Sequence, residues 1–155
     1  MILSLLAAAM IQTPAIPDAK PEDVKTEDAI VKSLYSVISG PAGEKRDWDR
    51  FRSLFAPKGT LATVYKNRDG RWVSATLTPE DYIKSSGPYL EKNGFFEKET
   101  KRQTARSKFL TNIFSDYESR NKLEDEKPFE KGTNSLQLFT DGRRWYIQSI
   151  LWQGG

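Results

Sequence analysis

The sequence predicts an α+β fold, a cone-shaped curved antiparallel sheet of about six strands packed against three helices. Three observations predict it. Helical spacing of apolar residues is confined to residues 26–93, interrupted by one short hairpin pattern. From residue 95 onward the chain alternates like strands. An Asp141-Gly142 pair flanked by alternating apolar residues marks a closing β-hairpin over residues 133–152. Helices gathered on one face of such a sheet leave a cavity between themselves and its concave side.

Residues 1–15 (MILSLLAAAMIQTPA) carry an apolar run with no charged side chain before Asp18, and small residues suited to cleavage. The run is too short to span a bilayer as a mature helix and reads as a signal peptide. It implies a periplasmic or secreted protein with no membrane attachment once removed. A docked or frayed terminus is the competing reading. Residues 16–25, with two prolines among small and charged residues, read as a linker, and residues 26–155 as one domain.

The first helix opens at Thr26, with Glu27 and Asp28 in its first turn, and Ile30, Leu34, Val37 and Ile38 at helical spacing. Gly40-Pro41 ends it. Asp47 caps the second helix, where Trp48, Phe51, Leu54 and Phe55 form a bulky stripe. Residues 60–66 and 71–77 form a hairpin around Asn67-Arg68-Asp69-Gly70. Thr78, Pro79 and Asp81 give capping-box chemistry to a third helix, expected to break at Gly87-Pro88 and stop at Asn93-Gly94. Residues 95–107 and 108–120 read as long strands. A charged loop over 121–132 leads to the last hairpin. A two-residue loop there would set Leu138 opposite Trp145, Leu136 opposite Ile147 and Asn134 opposite Ser149 on one face.

Composition excludes much chemistry. The chain has no Cys and no His, so thiol nucleophiles, imidazole bases, disulfides and the usual zinc sites are absent. No Gly-rich phosphate loop, calcium loop or nucleophile elbow occurs, so no metal or cofactor is expected. With 24 basic against 21 acidic residues the net charge is only +3, and the basic stretch 98–108 lacks interleaved aromatics. It reads as a solvated strand face, not a nucleic-acid site.

Tyr35, Trp48, Phe51, Phe55, Tyr82 and Tyr89 come from the three helices and are candidate pocket residues, although plain core packing is their commoner role. Asn134 and Ser149, with Tyr117 nearby, form a candidate polar group on the same concave face. Asp47 and Asp49 read as capping residues, and Arg52 as the ion-pair partner of Asp49. Asp116, Glu118 and Arg120 share one strand face, whose side one register slip would reverse. Phe139, Tyr146, Gln148, Ile150 and Trp152 make the outer face of the last hairpin too aromatic for bare solvent, and are candidate homodimer contacts.

The runs ISGPAGEKRDWDRFRSLFAP, LTPEDYIKSSGPYLEKNGFFE, FSDYESR and NSLQLFTDGRRWYIQSILWQ resemble bacterial proteins of the nuclear transport factor 2-like superfamily, also called SnoaL-like or cystatin-like. The resemblance implies the cone fold and dimerisation through the outer sheet face. It implies no single activity, since the cone hosts isomerases, dehydratases, cyclases and non-catalytic binders. A scytalone dehydratase-like site needs a His that is missing, and residues 61–66 offer no Asp where a ketosteroid isomerase-like base would stand, though Tyr35 could take the Tyr place. The expectation is an exported domain binding a small, partly apolar molecule in its cone, favoured over an enzyme. A His-independent lyase or isomerase of the ketosteroid isomerase or polyketide cyclase type, needing a carboxylate in the cavity, is the first alternative. A dimeric interaction module with a filled cavity is the second.

Overall fold

Thr26 caps the helix α2 (Glu27–Ile38) by accepting from the Ala29 backbone NH at 3.0 Å, and the helix buries Ile30, Val31, Leu34, Tyr35, Val37 and Ile38. A computed structural model describes residues 15–154, so the expected leader lies outside the described residues except for Ala15. The expected linker is partly folded. Pro21–Val24 forms a single helical turn, α1, and buries Asp23 and Val24. The Asp23 carboxylate takes two hydrogen bonds from Arg50, at 2.7 and 2.8 Å, and one from Ser33 at 2.8 Å. This paired charge pins the segment to the body.

Asp47 caps α3 (Trp48–Ser53) through the Arg50 NH at 2.9 Å, and the chain passes directly into β1 (Phe55–Lys66). β1 turns through Asn67, whose side chain accepts from the Asp69 and Arg71 NH groups, into β2 (Trp72–Leu77). The helix α4 (Pro79–Asn93) opens with the full Thr78/Asp81 capping box. It does not break at Gly87-Pro88. Pro88 sits inside a continuous helix, and Gly87 lets it approach Trp48, where a Cβ would stand 3.0 Å from Cζ2 of the indole. The Trp48 Nε1 group donates to Glu91 at 2.9 Å on the next turn, fixing α3 against α4.

β3 (Phe96–Arg106), β4 (Leu110–Arg120), β5 (Glu130–Thr140) and β6 (Trp145–Gly154) complete a curved, unclosed sheet in the order β2-β1-β6-β5-β4-β3. All neighbours are antiparallel, as expected, except β1 and β6, which run parallel. Ile113, Leu136, Leu138 and Ile147 on its concave face are fully buried against Phe51, Leu54 and the α2 stripe. Burying each such side chain stabilises the fold by about 1.5–3 kcal/mol.

The last hairpin departs from the expected register in two steps. Its loop is four residues, with Thr140 opposite Trp145, because the Asp141 carboxylate accepts from the backbone NH groups of Arg143 and Arg144 and only Gly142 takes a positive φ. Gln148 is then an extra residue in β6, a bulge between the Leu138–Ile147 and Gln137–Ser149 pairs. Beyond it every side chain changes face. Asn134 lies opposite Trp152, and Leu136 opposite Ile150.

Candidate functional site: a cone cavity with a carboxylate

Between the helices and the concave sheet face lies an open cavity of about 320 Å³. Its apolar wall comes from Leu34 and Ile38 of α2, Phe51 of α3, Leu61 of β1, Leu90 of α4 and Ile150 of β6. Tyr82 stacks on Phe51 with ring centroids 5.3 Å apart and meets Trp152 edge-on at 6.1 Å, so three elements share one aromatic wall. Tyr89, Phe95, Tyr117 and Phe129 extend the aromatic lining.

Of the residues singled out in the sequence, the cavity brings together Phe51, Tyr82, Tyr89, Tyr117 and Asn134. Others lie elsewhere. Tyr35 stands behind the wall, buried between sheet and helix, where its hydroxyl pairs with Ser115 at 2.7 Å and accepts from Asn134 at 3.0 Å. Trp48 packs edge-on against Phe51 outside the cavity. Phe55 is core, and it also borders a separate apolar groove of about 540 Å³ near Ile16 and Pro79, whose charged residues include the mutually paired Arg52 and Glu80. The bulge turns Ser149 to the convex side, where it donates to Gln137 at 2.9 Å. The same bulge brings Ile150 and Trp152, expected as outer-face contacts, into the cavity. Phe139 and Tyr146 stay together on the convex side, stacked 4.9 Å apart, with Gln148 exposed at the bulge. Asp116, Glu118 and Arg120 face that side too, Glu118 pairing with Arg120 at 3.0 Å and Lys131 at 2.9 Å.

Sequence reasoning missed Glu97. It projects from β3 into the cavity, accepting from the Ser119 hydroxyl at 3.0 Å and from the Asn134 amide at 3.4 Å. Burial pushes its carboxyl up to about 7; the two hydrogen bonds oppose the shift and the nearby Glu130 charge adds to it. Glu130 also lines the cavity and is shifted upward by burial. The Tyr82 and Tyr117 phenols are raised further still, chiefly by burial, and stay neutral donors across the physiological range. A signal for Glu97 was present in residues 96–101, where Glu97 and Glu99 alternate with Lys98 and so share one strand face.

Glu97 ends a buried polar chain whose direction can be assigned. One Asn134 nitrogen donates to both Glu97 and the Tyr35 oxygen, leaving Tyr35 to donate to Ser115 and Ser115 to donate to Glu99. Glu99 is held by Arg102 at 2.8 Å. The chain fixes the Asn134 amide orientation without consuming the cavity-side charge of Glu97.

No protein-family profile matches the sequence, and no curated protein does. Solved structures do. A protein of unknown function with a cystatin-like fold from Nostoc punctiforme superposes with a TM-score of 0.60 at 13% identity, over 81% of this chain and 86% of that one. A nuclear transport factor 2-like protein of unknown function from Silicibacter pomeroyi gives 0.56 at 11% identity, over 83% and 92%. Another from Shewanella baltica gives 0.50 at 12% identity, over 81% and 88%. Element order, sheet topology and these likenesses agree that this chain has the nuclear transport factor 2-like, or cystatin-like, fold.

Proposed function

We propose that the cone binds a small, partly apolar molecule, with its apolar part against Leu34, Leu61 and Ile150 and its polar end at Glu97 and Asn134. The observation that carries this reading is the open cavity of about 320 Å³, apolar on most sides and supplied with few convergent polar groups. A cavity of that size also counts against an interaction module whose interior is filled by its own side chains. Native mass spectrometry of the protein purified from its own host tests the proposal. A small molecule lost on denaturation, and absent from a cavity-filling Leu61→Trp variant that still melts cooperatively, is the expected result. An empty wild-type protein that also fails to bind any member of a broad small-molecule library would overturn it.

Glu97 favours a second reading, a lyase or isomerase. A carboxylate near pKa 7 in an apolar cavity is poised to take a proton from an activated carbon, while the neutral Tyr82 or Tyr117 phenol donates to the oxygen that gains charge. Turnover lost in Glu97→Gln with substrate binding retained separates this from simple binding.

We propose export through residues 1–15, checked by the N-terminal sequence of protein recovered from its host. We also propose a homodimer through the convex face, where Phe114 and Leu151 flank Ser135 on adjoining strands near the Phe139–Tyr146 stack. Leu110, Phe114 and Leu151 are 59%, 57% and 44% exposed, an apolar surface of the kind that partners cover.

A further inference from the structure

The cavity is acidic inside a basic protein. Lys and Arg outnumber Asp and Glu by 24 to 21 over the chain, yet among the described residues Glu97 and Glu130 line the cavity and no Lys or Arg does. Four other inward or partly buried acids have cationic partners, Asp23 with Arg50, Glu27 with Arg106, Glu99 with Arg102, and Glu118 with Lys131, while Glu91, Asp116 and Asp125 rest on neutral hydrogen-bond donors outside the cavity. Among the described residues, no ion pair reaches Glu97 or Glu130. Buried charge in a folded protein is ordinarily paired, so these two carboxylates lack the counter-charge that the rest of the molecule supplies. The remaining lining suits a cation. Aromatic ring faces attract positive charge, and Tyr82, Tyr117, Phe129 and Trp152 surround the same space.

We propose that the ligand is an organic cation, an amine or quaternary ammonium on a small apolar body, its positive centre held by Glu97 and Glu130 against the rings of Tyr82, Tyr117, Phe129 and Trp152. This rests on the cavity being a ligand site and names the chemical class that it takes. An anionic ligand would meet two carboxylates and no cation. At a pH where Glu97 is ionised, a neutral ligand would expel water from it and leave its charge without a counter-charge. An ammonium group removes that cost, and its apolar substituents fit the Leu34, Leu61 and Ile150 wall.

The test compares shape-matched pairs on the full chain at about pH 8, where Glu97 is mostly ionised. Phenyltrimethylammonium is set against tert-butylbenzene, and phenethylammonium against propylbenzene, by calorimetry and by tryptophan fluorescence, since Trp152 lines the cavity. Each cation is expected to bind at least about tenfold more tightly than its neutral partner. Glu97→Gln is expected to erase most of that preference, weakening the cation and tightening its neutral partner, which no longer strands a charge; Glu130→Gln, whose carboxylate accepts no side-chain hydrogen bond among the described residues, supplies the same comparison should the first variant fail to fold. Neutral members binding as tightly as the cations would overturn the ligand class and leave the cavity reading intact. A preference that survives both substitutions together would also overturn it. Failure of all four probes to bind folded protein would count against both readings.

Discussion

Ser119 lies directly opposite Glu97 across the β3–β4 pair and donates its hydroxyl proton to the carboxylate at 3.0 Å. Because the two are register partners, the sheet itself sets Glu97 toward the cavity. Burial in the cavity makes this carboxylate costly to ionise, and the Ser119 hydrogen bond offsets only part of that cost.

Stability should therefore fall as pH rises through the Glu97 transition. Its folded value of about 7 exceeds the ordinary carboxylate value, so the folded state holds a proton that the unfolded chain releases. The advantage is fully present below the ordinary value and is lost between roughly pH 4.5 and 7. Its size is on the order of 3 kcal/mol. Glu97→Gln should flatten this part of the curve, as followed by urea unfolding at pH 5 and pH 8; equal slopes in variant and wild type would refute the assignment.

Tyr35→Phe should destabilise the protein by about 1–3 kcal/mol. The substitution keeps the ring but strips one partner from Ser115 and one acceptor from Asn134. Burial pushes the Tyr35 phenol up to about 12, so the loss should be constant from pH 6 to pH 9 by chemical denaturation. A change below about 0.5 kcal/mol would mean that water takes over the vacated bonds.

Arg46 is 7% exposed, and its guanidinium donates to five backbone carbonyls, those of Ile38, Gly40, Pro41, Glu44 and Leu90. The acceptors include the ends of α2 and α4, whose negative dipole ends offset the buried charge. Lys cannot reproduce the planar fork, so Arg46→Lys should cost about 3 kcal/mol or more and Arg46→Met at least as much. Thermal melts read by circular dichroism decide it, and a shift of under about 2 °C would contradict the proposed clamp.

Gly87→Ala places a Cβ 3.0 Å from the Trp48 ring, which is fixed by Glu91 and Phe51. The gain in helix propensity is about 1 kcal/mol, yet the contact should leave the variant net destabilised by roughly that amount. Repeating the substitution in a Trp48→Leu background should make it stabilising. The same sign in both backgrounds would show that Trp48 is not the obstacle.

If the convex face is a dimer interface, Phe114→Glu with Leu151→Lys should convert a dimer to a folded monomer by light scattering. The pair leaves the cavity untouched, since both side chains point away from it. A wild-type protein that is already monomeric at high concentration would refute the interface.

The sequence by itself determined where the main helices start. Thr26, Asp47 and the Thr78/Asp81 box start their helices as their side-chain chemistry dictates, and the order of helices and strands is sufficient for the cone. Phe51 and Tyr82 were legible as cavity candidates because their helices must turn apolar faces to the sheet. What tertiary structure alone decided was which face each strand residue takes. A strand alternates with period two, so the single extra residue Gln148 was enough to exchange Ser149 for Ile150 and Trp152 on the concave side. Pro88 likewise remained helical because packing of α4 on Trp48 outweighed its local preference. Glu97 became special only on folding, since a carboxylate on a polar strand has an ordinary proton affinity until curvature of the sheet closes an aromatic cavity around it.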